Sequence, residues 1–410
     1  EAYSATGKEE HAETLSQILT YVLRDLSTPE GGFISAEDAD SEGVEGSFYT
    51  WNEEEVLSLL GPEESREFFR AFGLSACDGE GRPADERGVL FLRGSQEEIA
   101  REMGIGQGEL KEMLSKGLAR LLEARGKRVR PDRDDMILAD WNGLMIAALS
   151  KAAQLTEESS YGNAAAVAAD FVLGHMTLPG GGLLHRYRDG EAAVEGFLDD
   201  YAFFVWGLVE LYEATFEPRY LREAAGLARL MIEKFYDEDN GGFYSTPEGA
   251  GVLVRRKETM DGATPSGNSV AMFDMIALSR LTGREEFGRV ASSMSRSAPD
   301  SLWSHPEAHA HLLVALDASF GPSSEVVIVQ ESPALGGDQM IRRLRQGYRP
   351  NVLVILKDLS SPDTIDDASE IARGRTVGDS GLAAYVCIGS ACKPPMKDVE
   401  ELIALIDAER

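Results

Sequence analysis

Residues 198–215 read LDDYAFFVWGLVELYEAT, and residues 221–236 read LREAAGLARLMIEKFY. The first run is apolar nearly all round, which predicts a helix buried on every side. The second alternates apolar and charged residues at helical spacing, which predicts an amphipathic helix outside the first. The same contrast recurs in 141–155 against 162–176 and in 267–281 against 284–297. A ring of buried helices inside a ring of amphipathic ones is an α/α barrel, so the chain is expected to be mainly α.

A weak internal repeat surrounds these pairs. Helix breaks at Thr6, Thr156, Thr215 and Thr282 share a pattern, and the last three mark a period of roughly 60 residues, which fits an αα-hairpin plus a long connection. The connections also resemble one another. Gly31-Gly32-Phe33-Ile34, Gly181-Gly182-Leu183-Leu184 and Gly241-Gly242-Phe243-Tyr244 each predict a sharp turn after a helix end, followed by a short extended piece.

Two regions break the repeat. Residues 52–128 hold helical stretches at 53–72 and 96–125, separated by the Gly/Asp-rich loop around Cys77-Asp78-Gly79-Glu80-Gly81, and read as an insertion. From 321 the texture changes. β-branched runs at 325–329 and 351–356, a third strand at 383–388, and helices at 337–346 and 397–408 predict a small α/β layer. The expected organisation is a barrel over 1–320 carrying the insertion, then an α/β subdomain over 321–410.

The chain has 410 residues, 43% of them apolar and 27% charged, enough for a substantial core. Forty Lys and Arg against seventy Asp and Glu give a net charge of −30. Nucleic-acid backbones and anionic membranes would be repelled, so neither is an expected partner. No apolar run approaches a bilayer-spanning length. Three cysteines, Cys77, Cys387 and Cys392, make no disulfide framework and point to a reducing cytoplasm. The chain opens at Glu1-Ala2-Tyr3, inside a helical pattern, which suggests that further helices precede it.

Polar clusters stand immediately before the buried helices. They are Arg130-Pro131-Asp132-Arg133-Asp134-Asp135 leading to Asp140-Trp141-Asn142-Gly143, then Asp199-Asp200-Tyr201, and then Asp261 through Ser266, Asn268 and Ser269. A fourth, Ser35-Ala36-Glu37-Asp38-Ala39-Asp40-Ser41-Glu42, follows the first Gly-Gly turn. Inner helices that run parallel begin at one end of a barrel, so these clusters should converge on one mouth. Carboxylates, amides and aromatic faces suit a carbohydrate ligand: rings stack on sugars, polar groups bind hydroxyls, and a carboxylate pair can do acid/base work. The competing reading is helix capping, the commonest use of Asp or Ser before a helix. Asp38-x-Asp40-x-Glu42 resembles the start of a calcium loop, but Tyr49 stands where the bidentate Glu is required. His305-x3-His309-x-His311 lacks further ligands, and Cys387-x4-Cys392 lacks a basic sequence setting.

These motifs resemble the YyaL type of thioredoxin-domain-containing proteins, related to the mammalian spermatogenesis-associated homologue. Ser35 to Glu42, Arg130 to Asp135, Trp141-Asn142-Gly143-Leu144, Asp200-Tyr201-Ala202-Phe203 and Asp261 to Ser269 carry the likeness, as does the ending from Tyr385 to Pro395. The resemblance implies a six-hairpin α/α barrel, as in glycoside hydrolases and N-acylglucosamine 2-epimerases, preceded by a thioredoxin-like domain. That domain is absent from this chain, and some seven or eight barrel helices are legible where twelve close a ring.

The leading expectation is a carbohydrate-active or sugar-binding barrel of glycosidase or epimerase type, with a small-molecule sugar or sugar derivative as partner and no metal or cofactor. Asp38, Asp40 and Asp200 are the expected acid/base carboxylates. Glu37, Trp51, Asp135, Trp141, Asn142, His185, Arg186, Tyr201, Asp261, Ser266 and Asn268 are expected to shape the pocket. The alternative is a non-catalytic scaffold presenting clients to a thioredoxin-like domain in thiol redox work; redox work by Cys387 and Cys392 themselves ranks last, because neither stands in a basic sequence setting.

Overall fold

A computed structural model describes residues 1–75, 87–378, 380–389 and 391–408. The stretch from Cys77 to Gly81 lies outside the described residues. The chain forms two compact units, one of Glu1–Ser35 with Asp135–Arg410, the other of Ala36–Asp134.

In the larger unit the longer helices, of nine residues or more, are α1 (Glu9–Tyr21), α2 (Ala139–Thr156), α3 (Ser159–His175), α4 (Leu198–Thr215), α5 (Pro218–Phe235), α6 (Gly267–Thr282), α7 (Glu285–Arg296), α8 (Ala310–Phe320), α9 (Gly337–Arg345) and α10 (Val399–Ala408). Helices α2, α4, α6 and α8 pack side by side as an inner layer. Behind them lie α3, α5 and α7, each against the inner helix that precedes it. This is the inner and outer contrast legible in the sequence. Thirteen residues of α4 are buried, so its apolar circumference reflects burial on all sides. No helix among the described residues is long and apolar enough to cross a membrane.

Two glycines set the closest approach of the inner layer. A Cβ on Gly143 of α2 would lie 2.4 Å from the backbone of Phe203 in α4, and one on Gly207 would lie 2.7 Å from the Gly143 carbonyl. The bare backbones touch there because no side chain intervenes.

The three Gly-Gly turns share one hydrogen-bond pattern. Thr28, Leu178 and Asp237 donate their N–H groups to Gly32, Gly182 and Gly242, while Gly31, Gly181 and Gly241 donate back to the same three residues. Gly31, Gly181 and Gly241 all have positive φ, which is why glycine stands there. The residue after each turn is then held by an inner helix. Asn142 Oδ1 accepts from Phe33 N–H at 2.8 Å, the Tyr201 hydroxyl accepts from Leu183 N–H at 2.9 Å, and Asn268 Oδ1 accepts from Phe243 N–H at 2.7 Å. Sequence repeat and structural repeat therefore coincide.

A small antiparallel sheet joins β1 (Ile137–Leu138), β2 (Leu184–Arg188) and β3 (Glu191–Glu195). The tail forms β4 (Ser324–Gln330), β5 (Val352–Asp358), β6 (Leu382–Ile388) and β7 (Ala391–Cys392), ordered β5-β4-β6-β7. Strands β4 and β5 are parallel with α9 as their crossover, and β6 pairs antiparallel with β4. Val327 and Val329 join the helical core, while Val326 and Ile328 join a second cluster with α9 and α10. Burial on both faces explains the unbroken apolar run.

The smaller unit has its own core, built on Trp51, Val56, Leu60, Phe68, Phe72, Leu110 and Leu114. Strands Ala36–Glu37 and Arg133–Asp134 pair antiparallel where the chain enters and leaves it. The stretches expected as single helices at 53–72 and 96–125 are each divided. Gly61 with Pro62 separates Glu53–Leu60 from Pro62–Ala71, and the left-handed Gly104 ends Gln96–Met103 before Gln107–Arg125. Glu42 and Gly43, both at positive φ, turn Asp40–Ser41 back onto Val44–Glu45, so the calcium-like stretch is a tight hairpin.

Candidate functional site

Helices α2 and α4 begin side by side, and β2 supplies a histidine beside their amino ends. His185 Nδ1 lies 2.9 Å from Asp200 Oδ1 and 3.0 Å from Oδ2. Asp200 is wholly buried. It also accepts the Phe197 N–H at 2.7 Å and the Asp140 N–H at 3.2 Å. The residue therefore caps α4, ties α2 to it and orients the imidazole. Its hydrogen bond raises the His185 pKa above the ordinary histidine value, against partial burial.

Two further carboxylates flank the pair. Asp140 is pushed up to about 6, first by burial and then by the charge of Asp200, while the Trp141 N–H opposes the rise. Asp199 is also pushed up to about 6, by burial and then by Asp200 and Glu258, against the Gly267 N–H. Ligand atoms of Asp140, His185 and Asp200 all lie within 4.8 Å of one another, so among the described residues these three could hold a metal ion. Trp141, next to Asp140, keeps 45% of its surface exposed. Two carboxyls lifted to about 6 therefore stand beside an imidazole whose pKa is raised by its carboxylate partner, a setting suited to proton exchange.

The other expected site residues are distributed as follows. Asn142 also donates to the Phe33 and Leu138 carbonyls, at 3.0 and 2.8 Å, and Asn268 to those of Phe243 and Glu258, at 2.8 and 2.9 Å. Both amides are buried and serve the turns, as does the buried Tyr201. Ser266 caps α6 by accepting the Ser269 N–H at 3.2 Å. Asp261 staples the loop before α6 to α8, accepting from Ser266 N–H at 2.9 Å and His311 N–H at 2.8 Å. Arg186 is half-buried in β2, in register with Leu138 and Ala193, and Asp135 is exposed.

Glu37, Asp38, Asp40 and Trp51 belong to the smaller unit. Asp38 and Asp40 are exposed there, Asp38 Oδ1 accepting the Asp40 N–H at 3.2 Å. Glu37 accepts from the Tyr49 hydroxyl at 3.0 Å and faces Arg130 and Arg133. Trp51 is buried, with the Arg128 guanidinium 4.1 Å over its ring, so its faces are covered by protein.

Asp140 and Asp199 stand in the sequence clusters, but no role for them follows from the sequence. The signal for them was position: each immediately precedes an aromatic or acidic residue at a buried-helix start. A deeper group carried a plainer signal, charges inside helices that are otherwise apolar. Lys151 of α2 pairs with Glu210 of α4 at 2.7 Å, and Trp206 Nε1 donates to the same carboxylate at 3.1 Å. His311 of α8 packs against Trp206, ring centroids 5.2 Å apart. Asp274 of α6 is buried with neither carboxylate oxygen hydrogen-bonded among the described residues, and burial holds its pKa well above the usual carboxylate range. A cleft of about 400 Å³ opens at the far end of α4, lined by Phe216, Arg219 and Asp358. It contains none of the proton-exchanging groups, and the titrating cluster is the better guide to chemistry.

Fold and cluster together define a helical-hairpin protein with a group of titratable side chains at the amino ends of two inner helices. Solved structures with partial likeness include cellobiose 2-epimerase from Spirochaeta thermophila DSM 6192, at TM-score 0.35, 17% identity, and 41% of this chain against 44% of that one. Another is a family 105 glycoside hydrolase of C. acetobutylicum ATCC 824, at TM-score 0.36, 10% identity, and 70% of this chain against 74% of that one. By sequence the chain is homologous to spermatogenesis-associated protein 20 of Homo sapiens, 30% identical over 439 residues, which cover 99% of this chain and 56% of that protein. The Mus musculus protein of the same name is 29% identical over 439 residues, covering 99% and 55%. The chain thus spans about half the length of the curated relatives it matches. No family model matches it.

Proposed function

We propose that the Asp140–His185–Asp199–Asp200 cluster is an acid/base site for a sugar or sugar derivative, of glycosidase or epimerase type. The observation that carries this reading is the pair of carboxyls held near 6 beside an Asp-oriented imidazole. In this reading Asp200 positions His185 through Nδ1, leaving Nε2 for proton transfer. Asp140 and Asp199 give or accept the second proton, because each is partly protonated near neutral pH. Trp141 offers a stacking face for an apolar sugar surface. The proposal rests on these groups and needs no contribution from Asp38 or Asp40.

The test is a thermal-shift screen of the chain against mono- and disaccharides, sugar phosphates and polyols, with and without divalent cations, followed by hydrolysis and epimerisation assays on any hit. A saturating ligand should raise the melting temperature by a few degrees, and the shift should vanish in Trp141→Ala. Turnover should fall at least 100-fold in Asp140→Asn and His185→Gln with the circular-dichroism spectrum unchanged. Silence from both this chain and a longer one carrying the preceding region would overturn the reading. The scaffold alternative would then be preferred, and one observation favours it: Asn142, Tyr201, Ser266 and Asn268 are all committed to turns and caps.

A further inference from the structure

The hairpin of β6 and β7 carries a second chemistry, independent of the carbohydrate reading. Cys387 and Cys392 face each other in register across the antiparallel pair and are joined as a disulfide. Their surroundings are unequal: Cys387 is buried, while Cys392 is exposed. Arg375 Nη2 lies 2.9 Å from the Cys392 sulfur and 3.7 Å from that of Cys387. The guanidinium is held in place from two sides. Its Nε donates to the Ile371 carbonyl at 3.3 Å, and its Cζ lies 4.9 Å from the centroid of the Tyr385 ring. Tyr385 is itself fixed by a hydrogen bond from its hydroxyl to the Thr376 carbonyl at 2.7 Å. The two cysteines looked chemically neutral in sequence because this cation comes from the loop before β6.

A buried, purely structural disulfide needs no cation beside it. A fixed guanidinium next to a sulfur stabilises the thiolate, which is both the attacking and the leaving species in exchange. We propose that Cys387 and Cys392 form a dithiol–disulfide exchange site for external dithiols, with Cys392 as the sulfur that is attacked and Cys387 as the resolving thiol. In reduction, a thiolate of the external dithiol attacks Cys392 Sγ. The Cys387–Cys392 bond breaks as the mixed disulfide forms, and its electron pair leaves on Cys387, which takes up a proton. The second thiol of the dithiol, on losing its proton, attacks its own sulfur in the mixed disulfide. Cys392 departs as a thiolate beside Arg375. The net result is one dithiol oxidised to a disulfide and the protein pair reduced by two electrons, with one of the dithiol's two protons taken up by Cys387 and the other released to solvent while Cys392 stays a thiolate. Oxidation runs the same steps backwards, with the Cys392 thiolate as nucleophile.

The experiment uses the full chain with Cys77→Ser, so that only this pair reports. The protein is equilibrated across ratios of reduced to oxidised dithiothreitol, and free thiols are counted by alkylation and mass spectrometry while circular dichroism follows the fold. Reversible interconversion in the folded state is expected. With Cys387→Ser added, iodoacetamide should modify Cys392 along a pH profile whose midpoint lies at least about one unit below that of free cysteine. Arg375→Gln should slow that reaction at pH 6.5 roughly tenfold and return the midpoint towards the free value, and Arg375→Lys should restore much of the rate. Two results would overturn the proposal: a disulfide that resists dithiothreitol until the protein unfolds, or a Cys392 profile that Arg375→Gln does not move.

Discussion

Asp140 and Asp199 sit where carboxylates usually titrate low, at helix amino ends, yet burial and the neighbouring Asp200 charge lift both to about 6 from an ordinary 3.8. Each therefore binds its proton more tightly in the folded chain than in the unfolded one. Their stabilising contribution is complete below about pH 3.8 and is lost as pH rises through about 6. His185 acts in the same direction, because its raised pKa also favours the folded state when it is protonated. A rise of about two units corresponds to at most about 3 kcal/mol per carboxyl. Asp140→Asn and Asp199→Asn should each raise the melting temperature at pH 7.5 and flatten its decline between pH 5 and 7.5. The asparagine oxygen still accepts the Trp141 or Gly267 N–H. Melting curves across this pH range check the prediction, and steeper declines in the variants would refute the assignment of the burdened carboxyls.

At the scale of elements, the inner layer depends on a contact without side chains. A methyl on Gly143 would meet the Phe203 backbone at 2.4 Å, and helical backbone cannot shift aside as a flexible side chain can. Gly143→Ala should cost about 1–3 kcal/mol or more in urea denaturation. Gly226, in the middle of α5, meets nothing within 4 Å of its would-be Cβ. Gly226→Ala should stabilise by about 0.5–1 kcal/mol. The opposite signs separate packing from helix propensity, and equal effects would show that the close approach carries no energy. The repeated turns argue the same lesson about legibility. Paired glycines announced each turn, and polar residues at the inner-helix starts were recognisable as a group. That Asn142 and Asn268 reach back to Phe33 and Phe243 was not, because those partners are remote in sequence.

At the scale of the whole molecule, the chain is two compact units, and the smaller is inserted between Ser35 and Asp135. It has its own apolar core, and its ends meet as the paired strands Ala36–Glu37 and Arg133–Asp134. A fragment spanning 36–134 should therefore fold alone and melt cooperatively by circular dichroism. A featureless, non-cooperative melt would mean that its core is insufficient. The amino-acid order alone carries the hairpins, the Gly-Gly turns and the α/β tail. Each is written in local periodicity or turn chemistry, which acts over a few residues. It also assembled the polar clusters from which a site could be drawn. Packing across the fold settles which carboxyls are lifted to about 6 and which polar residues are absorbed by turns and caps, and it brings Arg375 beside two cysteines. A pKa, a saturated amide and a cation–sulfur contact are set by neighbours across the fold, and local pattern carries no record of them.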